Sequence, residues 1–321
     1  MIVYIGSQIL LYVVPIRIVF ARQMAPLMGG LAVLLLVVYS LKMHSYFATN
    51  LILLKKFNKG RKVDELFPTN VSLPDYVYFL AAPTLVYETY YPRNETIRYL
   101  FAFKNLFGCV LCLLIAQFVC AQFILPVLME RSTGALFFDI IRLSIPSIIA
   151  WLLGFYAFFH CWLNAIGELI KFGDREFYRD WWNAASLDVF WKKWNILVHE
   201  WLLRHVYLES VRTAKTSTLV ATIYTFLFSA IYHELIFFVA FRVLRPWFFL
   251  AMFLQIPMIM MSRWAYANTN PKYRDFWGNM NVWLGFFVGQ PLIEILYLRE
   301  WFLSNPSLLC ITNPSIQSWF F

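Results

Sequence analysis

Long apolar runs are the feature that most constrains the fold of this chain. Of its 321 residues, 61% are hydrophobic and 14% are charged, against about 45–50% and about 25% in soluble domains. One globular core cannot bury such an excess, and a helix crosses a bilayer with about 20 apolar residues. The sequence therefore predicts an all-α polytopic transmembrane bundle, a single domain over 1–321. The sequence predicts seven spans and leaves an eighth as an alternative. The seven are 2–20, 25–47, 99–129, 143–170, 218–241, 246–261 and 282–302.

The stretch 72–93 is apolar in its centre but differs from the other runs. Pro83 interrupts it, and the uninterrupted part is shorter than the about 20 residues that a span requires. We therefore expect an interfacial or re-entrant helix here.

Basic residues predict which loops face the cytosol. The run KKFNKGRK at 55–62 marks a cytosolic loop by the positive-inside rule. Alternating sides from this loop puts 171–216 in the cytosol and the C-terminus in the lumen. The net charge of +9 is interpreted as setting the orientation of the chain in the membrane. Binding to nucleic acid is not expected, because the sequence has no basic stripe with interleaved aromatic residues.

Polar residues inside the apolar runs are the candidates for chemistry. A charged group at membrane depth costs at least ~2.5–3.5 kcal/mol, so it normally faces protein or a water-filled cavity. In SAIYHELIFF, Ser229 and His233 share a helical face and Glu234 follows, while Gln255 interrupts a later run. We favour a functional His233 over a core histidine bonded to a carbonyl. A neutral imidazole suits a general base at neutral pH.

Metal and cofactor chemistry is not expected. The zinc-protease motif HExxH needs a second histidine at position 237, which is Phe237. The sequence contains no GxxxxGK[ST] or GxGxxG motif and no Cys/His set with metal spacing. A polar stripe of His160, Asn164 and Glu168 is interpreted as a hydrogen-bond seam between helices, with a functional role as the alternative.

Residues 171–216 combine charge with tryptophan. From 188 to 207, aromatic and aliphatic residues recur at helical spacing with charges between them. This pattern predicts one or two amphipathic helices in the headgroup region of the cytosolic face. An interfacial anchor without chemistry is the alternative, but the segment FYRDWWN is denser in polar groups than an anchor requires.

FGDREFYRDWWN and SAIYHELIFF together resemble the membrane-bound O-acyltransferases, in the branch that holds the acyl-CoA:diacylglycerol and acyl-CoA:sterol enzymes. The blocks YFLAAPTLVYETYYPRNETIR, WNILVHEWLLRHVY and GNMNVWLGFFVGQP resemble the family in the same order. The resemblance implies transfer of a fatty acyl group from acyl-CoA to a lipid hydroxyl in the endoplasmic reticulum membrane. Acyl-CoA is then a co-substrate, no cofactor is needed, and a homo-oligomer is compatible with the family.

The resemblance also implies roles for individual residues. His233 matches the family's general base, and Asn183 is its candidate for stabilising the oxyanion. Glu234 and Gln255 would orient the imidazole and the substrates, with Ser229 in support. The residues that match the family's substrate-binding motif are Phe177, Tyr178, Asp180, Trp181 and Trp182.

Two alternatives remain open for the function. We favour diacylglycerol as the acceptor, whereas FFHCWLNA and REWF resemble the sterol enzymes. A polytopic lipid transporter without catalysis would also keep polar residues in its spans. It would not need the motif FYRDWWN on a cytosolic segment.

Overall fold

The computed structural model describes residues 2–129 and 136–305, and most of these are helical. Seven helical stretches among them are long and apolar enough to cross a membrane, which confirms the predicted spans; α10 and α11 together form one of the seven. The elements are α1 (Ile2–Ala21), α2 (Pro26–Phe57), α3 (Leu73–Ala81), α4 (Tyr99–Met129), α5 (Leu136–Leu169), α6 (Leu187–Lys193), α7 (Ile196–Leu202), α8 (Leu208–Arg212), α9 (Thr218–Phe241), α10 (Trp247–Phe253), α11 (Gln255–Asn268) and α12 (Arg274–Ser304).

Several spans extend beyond their apolar runs. Helix α2 continues to Phe57 instead of ending near 47, and α12 begins at Arg274 instead of near 282. Hydropathy marks only the part of a helix that lies in lipid, whereas the backbone hydrogen bonds continue into water. Lys55 and Lys56 in the last turn of α2 also interact favourably with the C-terminal end of the helix dipole.

The predicted short helix in 72–93 is confirmed as α3. Ser72 caps its N-terminus by accepting a hydrogen bond from the Asp75 amide. At its other end, the Lys42 ammonium donates to the carbonyl oxygens of Phe79, Leu80 and Ala82. Lys42 is only 4% exposed, so α2 anchors α3 through a buried cation.

The turns that follow α1 and α9 are joined by one arginine. Arg242 ends α9 in the left-handed conformation, with φ of 57°, and its guanidinium donates to the Met24 carbonyl and the Gln23 side chain. The turn between α1 and α2 therefore lies on the same side of the bundle as the turn after α9, as the predicted topology requires.

The charged aromatic segment forms two short helices, α6 and α7, within the range predicted to be amphipathic, and buries its apolar faces on other helices of the bundle. Trp201 of α7 is 3% exposed, packs with Val33 and Val239, and donates from Nε1 to the Leu41 carbonyl at 2.9 Å. Trp181 packs edge-on against Trp151, near the middle of α5. A helical apolar pattern shows which face is buried, but it does not show whether lipid or protein covers that face.

Candidate active site

The imidazole of His233 on α9 is held by the preceding turn of its own helix. Its Nδ1 lies 2.8 Å from the Ser229 carbonyl oxygen and 3.3 Å from the Ser229 hydroxyl, so the predicted shared face is confirmed. A carbonyl oxygen can only accept a hydrogen bond, and we therefore assign the proton to Nδ1. Nε2 then carries the lone pair and is the nitrogen able to take a proton.

An aromatic ring from the next span fixes the plane of the imidazole. Phe248 of α10 stacks on His233 with ring centroids 5.1 Å apart and planes inclined by 8°. His233 itself is half-buried. The stacking limits rotation of the ring, and the remaining exposure leaves a route to it.

Glu234 does not orient the imidazole, which corrects one predicted role. Its two carboxylate oxygens accept from the Tyr297 hydroxyl at 2.9 and 3.0 Å, and one also accepts from the Phe249 amide at 3.0 Å. Neighbouring residues of a helix point about 100° apart, so the carboxylate faces α10 and α12. Glu234 therefore joins three spans beside the histidine.

Gln255 connects the aromatic segment to the His233 face of α9. Its side-chain oxygen accepts from Trp191 Nε1 at 3.4 Å, and the Trp191 ring contacts Phe226 edge-on. Phe226 precedes His233 by seven residues, about two helical turns, and so lies on the same face. Among the hydrogen bonds of the described ranges, Gln255 has none to the imidazole. Its predicted role in orienting that ring is therefore not supported by a direct contact.

Most of the FYRDWWN motif is structural in this arrangement. Phe177 and Trp181 are 1% and 2% exposed, and they pack on α5 and α12. The Tyr178 hydroxyl bonds His160 Nδ1 at 2.9 Å, and Asp180 pairs with Lys193 at 2.9 Å. The burial of the Phe177 and Trp181 rings favours a structural role for them over the predicted substrate-binding role.

The other two members of the motif are accessible. Trp182 is 43% exposed, and its carbonyl accepts from Asn279 at 2.7 Å. Asn183 is exposed and lines a cavity of about 490 Å³ together with Asp188, Arg263 and neighbouring residues. This cavity lies between the motif, the end of α11 and the start of α12.

The structure does not bring Asn183 and His233 together. Phe248, which touches His233, begins the span Trp247–Asn268, whereas Arg263, beside Asn183, lies near its other end. At 1.5 Å per residue the two places are roughly 20 Å apart. A donor to an oxyanion must lie about 3 Å from it. This separation does not favour the predicted pairing of Asn183 with His233 in one reaction centre.

Charges around the Asn183 cavity are paired and ordered. Asp188 accepts from Arg263 at 3.0 Å and from Ser186 at 2.8 Å, with Lys192 3.7 Å away. Burial alone would raise the pKa of Asp188, but the hydrogen bonds from Arg263 and Ser186 outweigh it and hold that pKa below its usual range. The carboxylate is therefore ionised at neutral pH and fixes the position of Arg263.

One glycine permits α12 to approach this cavity. A Cβ on Gly278 would lie 2.0 Å from the Ala185 carbonyl oxygen, a distance that no side chain allows. The following residue, Asn279, then donates to the carbonyls of Trp182 and Ala184. The block GNMN is thus the part of α12 that holds the motif in place.

One buried polar residue that supports the site, Tyr297, was not identified from the sequence. Tyr297 is fully buried, and its hydroxyl also lies 3.0 Å from the Phe248 amide and from the Arg245 carbonyl. Glu168, predicted to join helices, is fully buried and binds Arg98, at the start of α4, and Arg175. It therefore links α5 to α4 and anchors the segment that precedes the motif. A tyrosine in an apolar helix is a weak signal, because its ring alone explains its presence.

Comparison with known proteins identifies the family to which the chain is similar. The profile of the membrane-bound O-acyltransferase family matches residues 12–299. The chain is similar to "Diacylglycerol O-acyltransferase 1-1" of Oryza sativa subsp. japonica, with 36% identity over 303 residues that cover 90% of this chain and 55% of the relative.

Similar matches come from other organisms. "Diacylglycerol O-acyltransferase 1" of Arabidopsis thaliana is 35% identical over 89% of this chain and 55% of the relative. The protein of the same name in Dictyostelium discoideum is 33% identical over 92% of this chain and 49% of the relative. The chain thus spans about half the length of the curated relatives it matches.

Proposed function

Because the chain belongs to the membrane-bound O-acyltransferase family, we propose that it transfers a fatty acyl group from acyl-CoA to the hydroxyl of diacylglycerol, making triacylglycerol. The proposal takes its acceptor from the names of the similar relatives. We propose the endoplasmic reticulum membrane as its location, since acyl-CoA and diacylglycerol meet at a membrane that faces the cytosol. Acyl-CoA is a co-substrate in this reaction, and no metal or cofactor takes part.

The observation that carries the proposal is the hydrogen bond between His233 Nδ1 and the Ser229 carbonyl. It leaves Nε2 as a base inside an apolar helix. In the proposed reaction Nε2 removes the hydroxyl proton of diacylglycerol while the oxygen attacks the thioester carbonyl. The tetrahedral intermediate then expels the coenzyme A thiolate, which receives the proton from His233. An ester forms, a thioester breaks, and the histidine returns to its neutral state.

We assign Asn183 to recognition of the donor in place of the oxyanion role. Its cavity adjoins Arg263, and Lys192 and Arg274 lie one contact away. The lining also holds two carboxylates, Asp188 and Asp275. The three cations exceed them by one positive charge, which together with an accessible amide suits the phosphates and polar groups of coenzyme A. On the predicted topology this cavity faces the cytosol, where acyl-CoA is dissolved.

Identification of the acceptor is the experiment that tests this function. The purified chain in phosphatidylcholine nanodiscs is given labelled acyl-CoA with either diacylglycerol or a sterol, and the labelled ester is separated and counted. We expect triacylglycerol, with sterol ester at the level of a protein-free control. Sterol ester as the main product would identify a sterol, in place of diacylglycerol, as the acceptor. If neither ester forms, the acyltransferase function of this chain is rejected.

A further inference from the structure

A second cavity lies on the opposite face of α9 from His233. It has a volume of about 810 Å³ and is bounded by α1, α2, α9 and the α7–α8 segment. On α9 it is lined by Tyr224, Phe228 and Ile231, which lie about half a helical turn away from the His233 side. Its volume is within the range of about 300–1,000 Å³ that is usual for small-molecule sites. The cavity is thus separate from the candidate active site.

His205, on one wall of the cavity, is held in place by a buried serine. The Ser45 hydroxyl accepts from the Tyr87 amide at 2.8 Å and lies 2.8 Å from His205 Nε2. Because Ser45 is fully buried, its own proton needs an acceptor, and Nε2 is the one within reach. The proton of His205 is then on Nδ1. Burial, followed by the charges of His44 and Arg204, lowers the pKa of His205 to about 4, so the ring is a neutral donor at pH 7.

A buried hydroxyl in the same cavity has no partner. Tyr12 of α1 lines the cavity, and within residues 2–129 and 136–305 its hydroxyl is buried without a hydrogen bond. A buried polar group left unpaired costs about 1–3 kcal/mol. This hydroxyl is a second donor that a bound molecule would satisfy.

The charges of the lining indicate an uncharged ligand. Glu209, which is exposed, is the only Asp or Glu among the described residues that line the cavity, and none of those residues is Lys or Arg. Such a lining disfavours phosphate groups. Ile5, Ile9 and Ile231 at the margin are about half exposed, at 49%, 56% and 52%, so the cavity opens toward the apolar surroundings of the spans.

We propose that this cavity binds diacylglycerol, an uncharged lipid whose hydroxyl and ester oxygens accept from Tyr12 and His205 while its chains lie along Ile5, Ile9 and Ile231. The inference rests on the proposed function in one respect, since that function makes diacylglycerol the acceptor. The cavity then holds the acceptor lipid on the side of α9 away from the reaction centre.

Photolabelling of the full chain tests the inference without turnover. The protein in phosphatidylcholine nanodiscs is irradiated with a diacylglycerol that carries a diazirine in one acyl chain, and labelled peptides are mapped by mass spectrometry. We expect labels on α1 and on the Ile231 side of α9, displaced by unlabelled diacylglycerol but not by phosphatidic acid. Tyr12→Phe should weaken labelling roughly 2- to 10-fold, the loss of one hydrogen bond. Tyr39→Phe, on an exposed part of α2, is the matched control and should not change it.

The outcomes separate this inference from the proposed function. Absence of label at the cavity, equal displacement by phosphatidic acid, or unchanged labelling in Tyr12→Phe would overturn the inference. Triacylglycerol synthesis by a protein that is not labelled there rejects the inference alone. Labelling of the cavity in a wild-type protein that makes no triacylglycerol supports the inference and rejects the proposed function. His233→Ala should keep the label, since His233 lies on the other face of α9.

Discussion

The position of one proton on His233 determines what the candidate site can do at the scale of single residues. The sequence predicted that Ser229 and His233 share a face, because that follows from helical periodicity. Which atom of Ser229 holds the ring could not be predicted, since it depends on a side-chain rotamer. The bond to the carbonyl, in place of the hydroxyl, is therefore a finding of the structure.

This difference between carbonyl and hydroxyl leads to a prediction for Ser229→Ala. The substitution removes the hydroxyl at 3.3 Å but keeps the carbonyl at 2.8 Å, so Nδ1 should stay protonated. We expect kcat for acyl transfer to fall less than roughly 5-fold, well below the ~10²–10⁴-fold contribution of a general base. A loss in Ser229→Ala as large as that in His233→Ala would contradict the assigned tautomer.

Asn183→Ala tests the separation of Asn183 from the reaction centre. Because the amide lines the cavity beside Arg263, its loss should raise KM for acyl-CoA roughly 2- to 10-fold with kcat nearly unchanged. Asn58→Ala, at an exposed position of the loop after α2, is the control. A fall in kcat at constant KM would restore the oxyanion role and contradict the geometry described above.

At the scale of elements, the spans and the helices of the aromatic segment could be predicted, but the packing partners of that segment could not. Apolar runs of sufficient length can only be spans, so their number and order follow from hydropathy. The residues from 177 to 207 have a helical pattern that fits lipid and protein equally well. Their burial depends on partners distant in the chain, such as Trp151 and Leu41, which no local pattern identifies.

Lys42 is predicted to be the main anchor of α3. In Lys42→Met the carbonyls of Phe79, Leu80 and Ala82 lose the ammonium that they share, at about 1–3 kcal/mol for a buried group left unpaired. We expect a lower Tm in detergent and faster protease cleavage near 72–93. Lys56→Met, exposed on the same helix, should match the wild type. Equal stability of the two variants would show that α3 is held in another way.

At the scale of the whole molecule, the proposed reaction depends on the side of the membrane from which each substrate arrives. The contact of Arg242 with Gln23 puts two turns at one end of the bundle, and the loop 58–72 and the segment 171–217 then lie at the other. Basic residues predict that this second end is cytosolic. The charge pattern therefore predicts the topology, while the depth of the reaction centre required the three-dimensional packing.

Single cysteines test this topology. In a background without the native cysteines, of which Cys310 lies outside the described residues, Lys59→Cys and Lys192→Cys should react with an impermeant thiol reagent added from the cytosol. Arg22→Cys should react only after the lumenal face is opened. All three positions are exposed. Reaction of Lys192→Cys from the lumen, with Lys59→Cys cytosolic, would exclude access of coenzyme A through the Asn183 cavity.

The central claim is that His233 is the base in transfer of an acyl group to diacylglycerol. Its most direct test is the rate of triacylglycerol formation by purified His233→Ala and wild-type protein from labelled acyl-CoA and diacylglycerol, with both proteins shown to have the same Tm. We expect a rate lower by ~10²–10⁴-fold in the variant. A rate within a few-fold of the wild type, in a variant of unchanged stability, would contradict it.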